Sequence, residues 1–247
     1  MRVAMYLLLL SDVVCVTTAY HRWVLERRQT HGRARIVHLP LCGYDEPSLE
    51  PLQDESSILM LNCHAPHKNL PLTLNAFRLL RRRVPGARLV VAGIDHPRYP
   101  GYLAEIRRKH ESDPGIDWLG PVAAQDLRST FSRSAVTIVP YRATTGSSAT
   151  VHQAICVGRP VVSADLPELR GMAEEEDLWL EFFPPDNPEK LAGVLEDLLT
   201  DPIRRRAIAQ HNLRSARQNS LTATTRRYVG IFEGRHDVAH VSTSISR

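Results

Sequence analysis

With 247 residues, of which 43% are hydrophobic and 23% charged, the chain is large enough for one full globular domain and part of a second. Its net charge of +4 comes mainly from arginines in short clusters without interleaved aromatic residues, which is typical of a solvated surface and argues against nucleic-acid binding. The four cysteines are scattered without a Cys-x-x-Cys pair, so no disulfide framework is expected, and a reducing cytoplasm is the predicted location.

The apolar start, MRVAMYLLLL, has the length of the hydrophobic part of a secretory signal and is too short to cross a bilayer. A buried strand at residues 13–17 and an amphipathic helix follow it, which indicates folded interior instead of a cleavage region. Residues 1–43 are too few to enclose a core of the usual size, so they belong with another domain. Residues 44–56 are polar, contain prolines and lack apolar periodicity, which predicts a linker.

From residue 57 onward, short β-branched or leucine-rich segments alternate with helical patterns, which predicts β-α-β units around a parallel sheet. The segments do not alternate between apolar and polar residues, because parallel strands are covered on both faces. The predicted strands lie at residues 58–62, 87–93, 116–120, 135–140, 159–165 and 178–183.

Helices are predicted between and after these strands. The segments are residues 70–84, 102–110 and 124–131, a helix beginning near residue 148, helices capped at Asn187 and Asp201 with proline at the next position, and residues 220–233. Residues 57–234 are therefore expected to form one α/β domain, a parallel sheet flanked by helices. Residues 235–247 lack periodicity and are predicted to be a loose tail.

The sequence pattern most indicative of function is a polar turn after the strand at 135–140. The turn, from Thr144 to Gly158, is rich in Thr and Ser, contains Gly146 and leads into a helix. A helix N-terminus has unpaired N–H groups and a partial positive charge, so it can bind phosphate, although the same residues would also make a good helix cap. In open α/β sheets ligands bind beyond the carboxyl ends of the strands, where this turn must lie, and this position favours a phosphate site.

Lys68 lies in the turn NCHAPHKNL, which follows a predicted strand at the same edge of the sheet. An ammonium group there could neutralise a diphosphate leaving group without a metal, whereas the alternative is a solvated loop lysine. Cys63, His64 and His67 are too few for a structural zinc site, which usually needs four ligands. The chain also lacks a G-x-G-x-x-G motif, a P-loop and a D-x-D motif, so no metal site is expected.

Several short motifs follow one another along the chain: K-N-L, RLVVAG, WLGPV, VPY, TGSS, HQAICVGRPVVSAD and PPDNPEKLAGVLEDLL. Their order resembles glycosyltransferase family four, a family of retaining enzymes with the two-domain GT-B architecture. The resemblance covers about residues 11–232. It implies that residues 57–234 are the Rossmann-like donor half of a GT-B fold, and that residues 1–43 are a remnant of the acceptor-binding domain.

The resemblance also implies roles for individual residues. Lys68 corresponds to the lysine that contacts the donor diphosphate and is the candidate catalytic residue. The implied donor-binding residues are Gly93, Gly120, Pro121, Val122, Thr144, Thr145, Gly146, Ser147, Ser148, His152 and Gln153. Thr145 and Gln153 stand where the family usually has two glutamates, and Cys63 where it usually has an arginine. These departures resemble a family subset with TGSS and H-x-A motifs, in which His152 either faces the donor or packs.

Two functions of different class follow from this resemblance. The first is transfer of a hexose from a UDP- or GDP-sugar to a lipid-linked or secondary-metabolite acceptor, with retention and without metal or cofactor. The second is a non-catalytic nucleotide-sugar-binding or partner subunit of the same fold. Because residues 1–43 hold only the last pieces of an acceptor domain, we expect truncation of a longer protein; a decayed gene and a separate acceptor-domain subunit are the alternatives. A lipid-linked acceptor would add peripheral contact with the inner face of the membrane.

Overall fold

The computed structural model describes residues 10–28, 34–143 and 146–234. The predicted tail at 235–247 and the signal-like start lie outside these ranges. The N-terminal elements are strand β1 (Val13–Val16), helix α1 (Ala19–Arg28) and strand β2 (Arg35–His38). The two strands pair in parallel, and a small buried cluster of aliphatic side chains lies against them. The strand predicted at 13–17 is confirmed, whereas β2 was not predicted.

The main sheet contains six parallel strands. Their bounds are β3 (Ser57–His64), β4 (Arg88–Asp95), β5 (Ile116–Gly120), β6 (Val136–Val139), β7 (Val161–Ala164) and β8 (Glu181–Phe183). The predicted α/β fold with its parallel sheet is confirmed. The strands lie in the order β5-β4-β3-β6-β7-β8. This is the order of a doubly wound, Rossmann-like sheet, whose direction of winding reverses between β3 and β6.

Helices cover both faces of this sheet. They are α2 (Leu70–Arg81), α3 (Tyr102–His110), α4 (Leu127–Ser132), α5 (Ala149–Cys156), α6 (Pro167–Glu175), α7 (Pro188–Thr200), α8 (Pro202–Gln218) and α9 (Leu221–Phe232). All the predicted helices are present, and α6 is an addition. In the described ranges, none of them combines the length and the apolar character that a bilayer-crossing helix needs.

Burial explains why the central segments form strands, and capping explains where two of the helices begin. Every side chain of β6 and of β7 is buried, as expected for strands covered on both faces. The predicted caps at the start of α7 and α8 are confirmed, since the Asn187 side chain accepts a hydrogen bond from the Lys190 N–H and the Asp201 side chain accepts one from the Arg204 N–H. Each cap satisfies one of the N–H groups that a helix start leaves unpaired.

The segment at 44–56 forms no helix or strand but is hydrogen-bonded to the main domain. The Ser48 N–H donates to the Cys156 carbonyl at 2.9 Å. The Arg159 guanidinium, only 3% exposed, donates to the carbonyl groups of Glu50 and Pro51, both at 2.9 Å. The connection between the N-terminal elements and β3 is therefore held on the body of the domain.

Candidate functional site

A cavity of about 620 Å³ lies where the winding of the main sheet reverses, at the ends of β3 and β6. Its walls come from the ends of these strands, the turns that follow them, the first turn of α5 and the start of the segment at 44–56. The lining residues are Tyr44, Leu61, Asn62, Cys63, His67, Lys68, Tyr141, Ala143, Ser147, Ser148, Ala149 and Thr150. Doubly wound sheets bind their ligands at this reversal point, so the topology and the cavity indicate the same site.

Lys68 enters the cavity from the turn after β3. It ends a short 3-10 helix, and Asn69, in the left-handed conformation with φ of 60°, then begins α2. The Lys68 Nζ atom lies 3.6 Å from the centroid of the Tyr141 ring. Tyr141 is 3% exposed, so the ring face that meets the ammonium is part of the packed wall of the cavity. The structure thus brings a cation and an aromatic ring together at the reversal point.

Two further polar side chains in the wall are buried without a complete set of hydrogen bonds. The Tyr141 hydroxyl donates to Asn62 Oδ1 at 2.7 Å, but Asn62 Nδ2 has no partner among the described residues. The hydroxyl of Ser148 has none there either, and both residues are about 5% exposed. A buried polar group without a partner costs about 1–3 kcal/mol. These groups are candidates for contact with a polar ligand.

The turn before α5 reaches the cavity through Ser147 and Ser148. Thr144 and Thr145, the two predicted residues before it, lie outside the described residues. Gly146 has φ of +125°, and a Cβ there would lie 2.9 Å from Cε1 of His21 on α1. The backbone conformation at this φ therefore requires glycine, and the lack of a side chain also leaves room for His21. The eight-residue helix α5 then begins directly at the cavity.

His152 and Gln153 are buried and do not line the cavity. His152 Nδ1–H donates to the Ser148 carbonyl at 2.7 Å, and Nε2–H donates to Glu176 Oε2 at 2.8 Å. Burial alone would lower the pKa of His152, but the Glu176 carboxylate and the hydrogen bonds raise it above its ordinary value. The imidazole ring thus joins α5 to the end of α6. Sequence reasoning missed Glu176, because a run of three glutamates resembles a solvated helix end.

The other predicted donor-binding residues lie away from the cavity lining. Gly93 belongs to β4, where it pairs in register with Asn62. Gly120 ends β5, the outermost strand, with φ of +74°, and the exposed Pro121 follows it. Val122 packs partly against the hydrophobic core. These residues share the carboxyl edge of the sheet with the cavity, but the structure does not bring them together with Lys68.

Cys63, His64 and His67 make separate contacts. Cys63 Sγ donates to the Asp95 carbonyl at 3.7 Å, and His64 Nε2–H donates to the Ala92 carbonyl at 2.9 Å. The His67 ring lies edge-on to His96, with 6.2 Å between the ring centroids. Within residues 10–28, 34–143 and 146–234, no group of three or more His, Cys, Asp or Glu side chains is arranged to hold a metal ion.

Asp186, in the turn before α7, links the two turns that carry Lys68 and Tyr141. Its Oδ1 accepts from Asn69 Nδ2 at 3.0 Å and from Arg142 Nε at 2.8 Å. Both hydrogen bonds help to hold the pKa of Asp186 below its ordinary value. Sequence reasoning did not single out Asp186 or Tyr141. Their positions just after strand ends are the signal that could have identified them.

Comparisons with known proteins identify the family of this chain. The family model described as Glycosyl transferases group 1 matches residues 56–201, whereas no curated protein matches the sequence. Among solved structures, Anabaena HepE in complex with UDP-glucose aligns with a TM-score of 0.76 at 14% identity, over 94% of this chain and 67% of that chain.

Two other solved structures are similar. The pneumococcal O-GlcNAc transferase GtfA, in complex with UDP and GlcNAc, has a TM-score of 0.71 at 16% identity, over 92% of this chain and 46% of that chain. Sucrose-phosphate synthase from Thermosynechococcus elongatus has a TM-score of 0.72 at 18% identity, over 94% of this chain and 60% of that chain. This chain thus spans less than half of the length of GtfA. The fold is that of GT-B glycosyltransferase domains, and because the family model covers more than half of the chain, the chain belongs to the glycosyl transferases group 1 family.

Proposed function

We propose that this chain is the donor-binding part of a retaining glycosyltransferase of family four, which transfers a hexose from a UDP- or GDP-sugar to an acceptor. One observation carries the proposal: the Lys68 ammonium and the start of α5 meet in a cavity at the reversal point of the sheet. An ammonium and a helix N-terminus are two groups by which a protein can hold a diphosphate without a metal. Retention and the hexose come from the resemblance to family four.

In the proposed mechanism the diphosphate accepts hydrogen bonds from the turn at 146–148 and from the first N–H groups of α5. Negative charge grows on the diphosphate as the bond to the sugar breaks, and Lys68 stabilises this charge. No aspartate or glutamate is among the described residues that line the cavity. A magnesium-bound diphosphate would lack carboxylate ligands there, which supports charge compensation by Lys68 and backbone amides.

UDP is the first nucleotide to test, because HepE and GtfA were solved with UDP-glucose and with UDP. The proposed partner is an acceptor-binding domain, in the same polypeptide or in a separate subunit, that faces this cavity. The proposed location is the cytoplasm, at the inner face of the membrane when the acceptor is lipid-linked. All four cysteines are free thiols, in keeping with a reducing compartment.

A non-catalytic nucleotide-sugar-binding subunit is the second candidate function. It is favoured by Gln153, an amide at a position where the family usually has a carboxylate, and by its burial outside the cavity lining. This candidate has the same donor site and differs in turnover. Release of UDP from UDP-glucose, by the chain alone or by the chain combined with its acceptor-binding domain, would exclude this candidate. UDP binding without release even when that domain is present would favour it.

Titration calorimetry with UDP and with GDP tests the donor site. We expect one of the two nucleotides to bind, and Lys68→Ala to weaken that binding by about 10–100-fold, the effect of a lost charge-assisted hydrogen bond. Lys109→Ala is the matched control, because Lys109 carries the same charge on the exposed surface of α3, where it pairs with Glu105. Absence of heat with both nucleotides, or equal affinity of the two variants, would contradict the proposal.

A further inference from the structure

We propose that Tyr141 is a positioning residue, which holds the Lys68 ammonium in the cavity and thereby sets the affinity for the donor diphosphate. This inference rests on the proposed function of the cavity. The main evidence is a contact between Lys68 Nζ and the buried face of the Tyr141 ring, in which Nζ lies 3.6 Å from the ring centroid. Among the described residues, Lys68 belongs to no ion pair that would orient it instead.

The ring has to supply the orientation, because a lysine is a point charge on a flexible four-carbon stem. Without a partner, the ammonium would distribute over many rotamers, most of them away from the ligand. A cation close to a buried aromatic face is attracted by the ring quadrupole, and the attraction grows as the contact is desolvated. The Tyr141 ring, 3% exposed, provides such a desolvated face.

An aromatic partner has a second consequence for anion binding. A carboxylate would also orient Lys68, but it would cancel the positive charge and compete with the diphosphate. The aromatic ring carries no net charge, so the ammonium keeps its full charge for the ligand. The cavity therefore holds an oriented cation that is not neutralised by a described lining residue.

The Tyr141 ring is itself fixed by contacts from two other elements. Its hydroxyl donates to Asn62 Oδ1 on β3 at 2.7 Å and lies 3.5 Å from Thr150 Oγ1 on α5. Tyr141 comes two residues after the last residue of β6. The ring is thus anchored across the reversal point, between the two strands and the helix that build the cavity.

The backbone on both sides of the contact is clamped as well. The Arg142 N–H, next to Tyr141, donates to the carbonyl of His67, next to Lys68, at 2.9 Å. Asp186 joins the following residues, since its Oδ1 accepts from Asn69 Nδ2 and from Arg142 Nε. These bonds hold the two turns in the register that sets the ring against the ammonium.

A double-mutant cycle read in UDP affinity tests the inference. The variants are Tyr141→Leu, Lys68→Ala and their combination, with Tyr141→Phe as the variant that keeps the ring and loses only the hydroxyl. We expect Tyr141→Leu to weaken UDP binding about 5–20-fold in the wild-type background and less than about 2-fold in the Lys68→Ala background, because the two residues act as one unit. Tyr141→Phe should stay within about 3-fold of wild type, since the ring face remains.

An equal loss of UDP affinity for Tyr141→Leu in both backgrounds would mean that the ring only supports the fold, and would overturn the inference. Progressive fluorination of a phenylalanine at position 141 gives a second test that preserves size and packing. Each fluorine weakens the negative ring face, so UDP affinity should fall stepwise with Lys68 present and stay level in Lys68→Ala. UDP affinity that changes with fluorination neither with Lys68 present nor in Lys68→Ala would also overturn the inference.

The outcomes also separate the two proposals. If wild type binds neither UDP nor GDP, the proposed function fails together with the inference. If wild type binds and only the coupling between Tyr141 and Lys68 is missing, the inference alone fails.

Discussion

Gly93 occupies a backbone position in the main sheet that strongly favours glycine over every other residue type. Its φ is +114°, and a Cβ added there would lie 1.9 Å from the carbonyl oxygen of Asn62 on the neighbouring strand. Asn62 is the cavity residue whose Oδ1 receives the Tyr141 hydroxyl. The close approach of β4 to β3 at Gly93 therefore shapes the strand end that carries part of the site, although Gly93 itself does not line the cavity.

Gly93→Ala should destabilise the fold by about 2–5 kcal/mol, the sum of left-handed backbone strain and of overpacking against Asn62. Gly101→Ala is the matched control, because Gly101 has φ of +81° but nothing within 4 Å of an added Cβ. It should cost only the backbone strain, about 1–2 kcal/mol. Denaturant unfolding of both variants gives the comparison, and equal losses would show that the contact with Asn62 is not the cause.

At the scale of elements, α5 and α6 are joined by a buried ion pair. The side chains of His152 and Glu176 are only 3% and 2% exposed, with 2.8 Å between Nε2 and Oε2. The same imidazole bonds the Ser148 carbonyl, so the pair also fixes the residue at which α5 and its contact with the cavity begin. The orientation of this helix start, and with it the direction of its N–H groups, depends on a side chain from another helix.

Glu176→Gln should lower the free energy of unfolding by about 3–5 kcal/mol near pH 6, because it leaves His152 without its buried counter-charge. The folded-state pKa of His152 is raised. The stability from the pair is therefore fully present below the unfolded pKa of about 6.5 and is lost as pH rises through the folded pKa. The difference between wild type and variant should accordingly shrink as pH is raised from 6 toward 9.

Asp177→Asn provides the control for this experiment. Asp177 follows Glu176, its side chain is 82% exposed, and its positive φ of 52° is a conformation that asparagine also tolerates. Urea unfolding across the pH range should show little change for this variant. A loss in Glu176→Gln that stays constant from pH 6 to 9 would refute the titrating pair.

At the scale of the whole molecule, the N-terminal elements dock on the main domain beside the turn at 146–148. Glu175 Oε2 accepts from the Ala19 N–H at the start of α1 at 2.9 Å and lies 3.7 Å from His38 Nε2. On the same side, Gly146 packs against His21 of α1. Two neighbouring glutamates at the end of α6 thus contact different elements: Glu175 bonds to the N-terminal elements, and Glu176 bonds to α5.

Glu175→Ala should loosen α1 without unfolding the main domain. Loss of a charge-assisted hydrogen bond of about 1.5–3 kcal/mol predicts roughly 10–100-fold faster amide exchange in the first turn of α1. Hydrogen-exchange mass spectrometry reads this change, and α2 and α7 should remain as in wild type. Glu174→Ala, an exposed neighbour on the same helix, should leave α1 unchanged. Equal exchange of α1 in the two variants would contradict docking through Glu175.

The sequence by itself determined the elements of the main domain other than α6, because periodicity, proline and cap chemistry act within a few residues of the chain. The six strands and the caps at Asn187 and Asp201 follow from such local rules. The strand β2 and the helix α6 were not predicted from the sequence. Only one side chain of β2 is buried, so this strand lacks the largely apolar run of β6 and β7. α6 contains Gly171, a residue that weakens a helical pattern.

Only the tertiary structure decided which residues share a site. The strand order places β3 beside β6, and this brings Lys68 against Tyr141 across a long stretch of sequence. It also directs His152 toward Glu176 instead of toward the cavity, and sets α1 against Gly146. Each of these contacts depends on packing between elements distant in the chain, and local sequence patterns hold no information about such pairings.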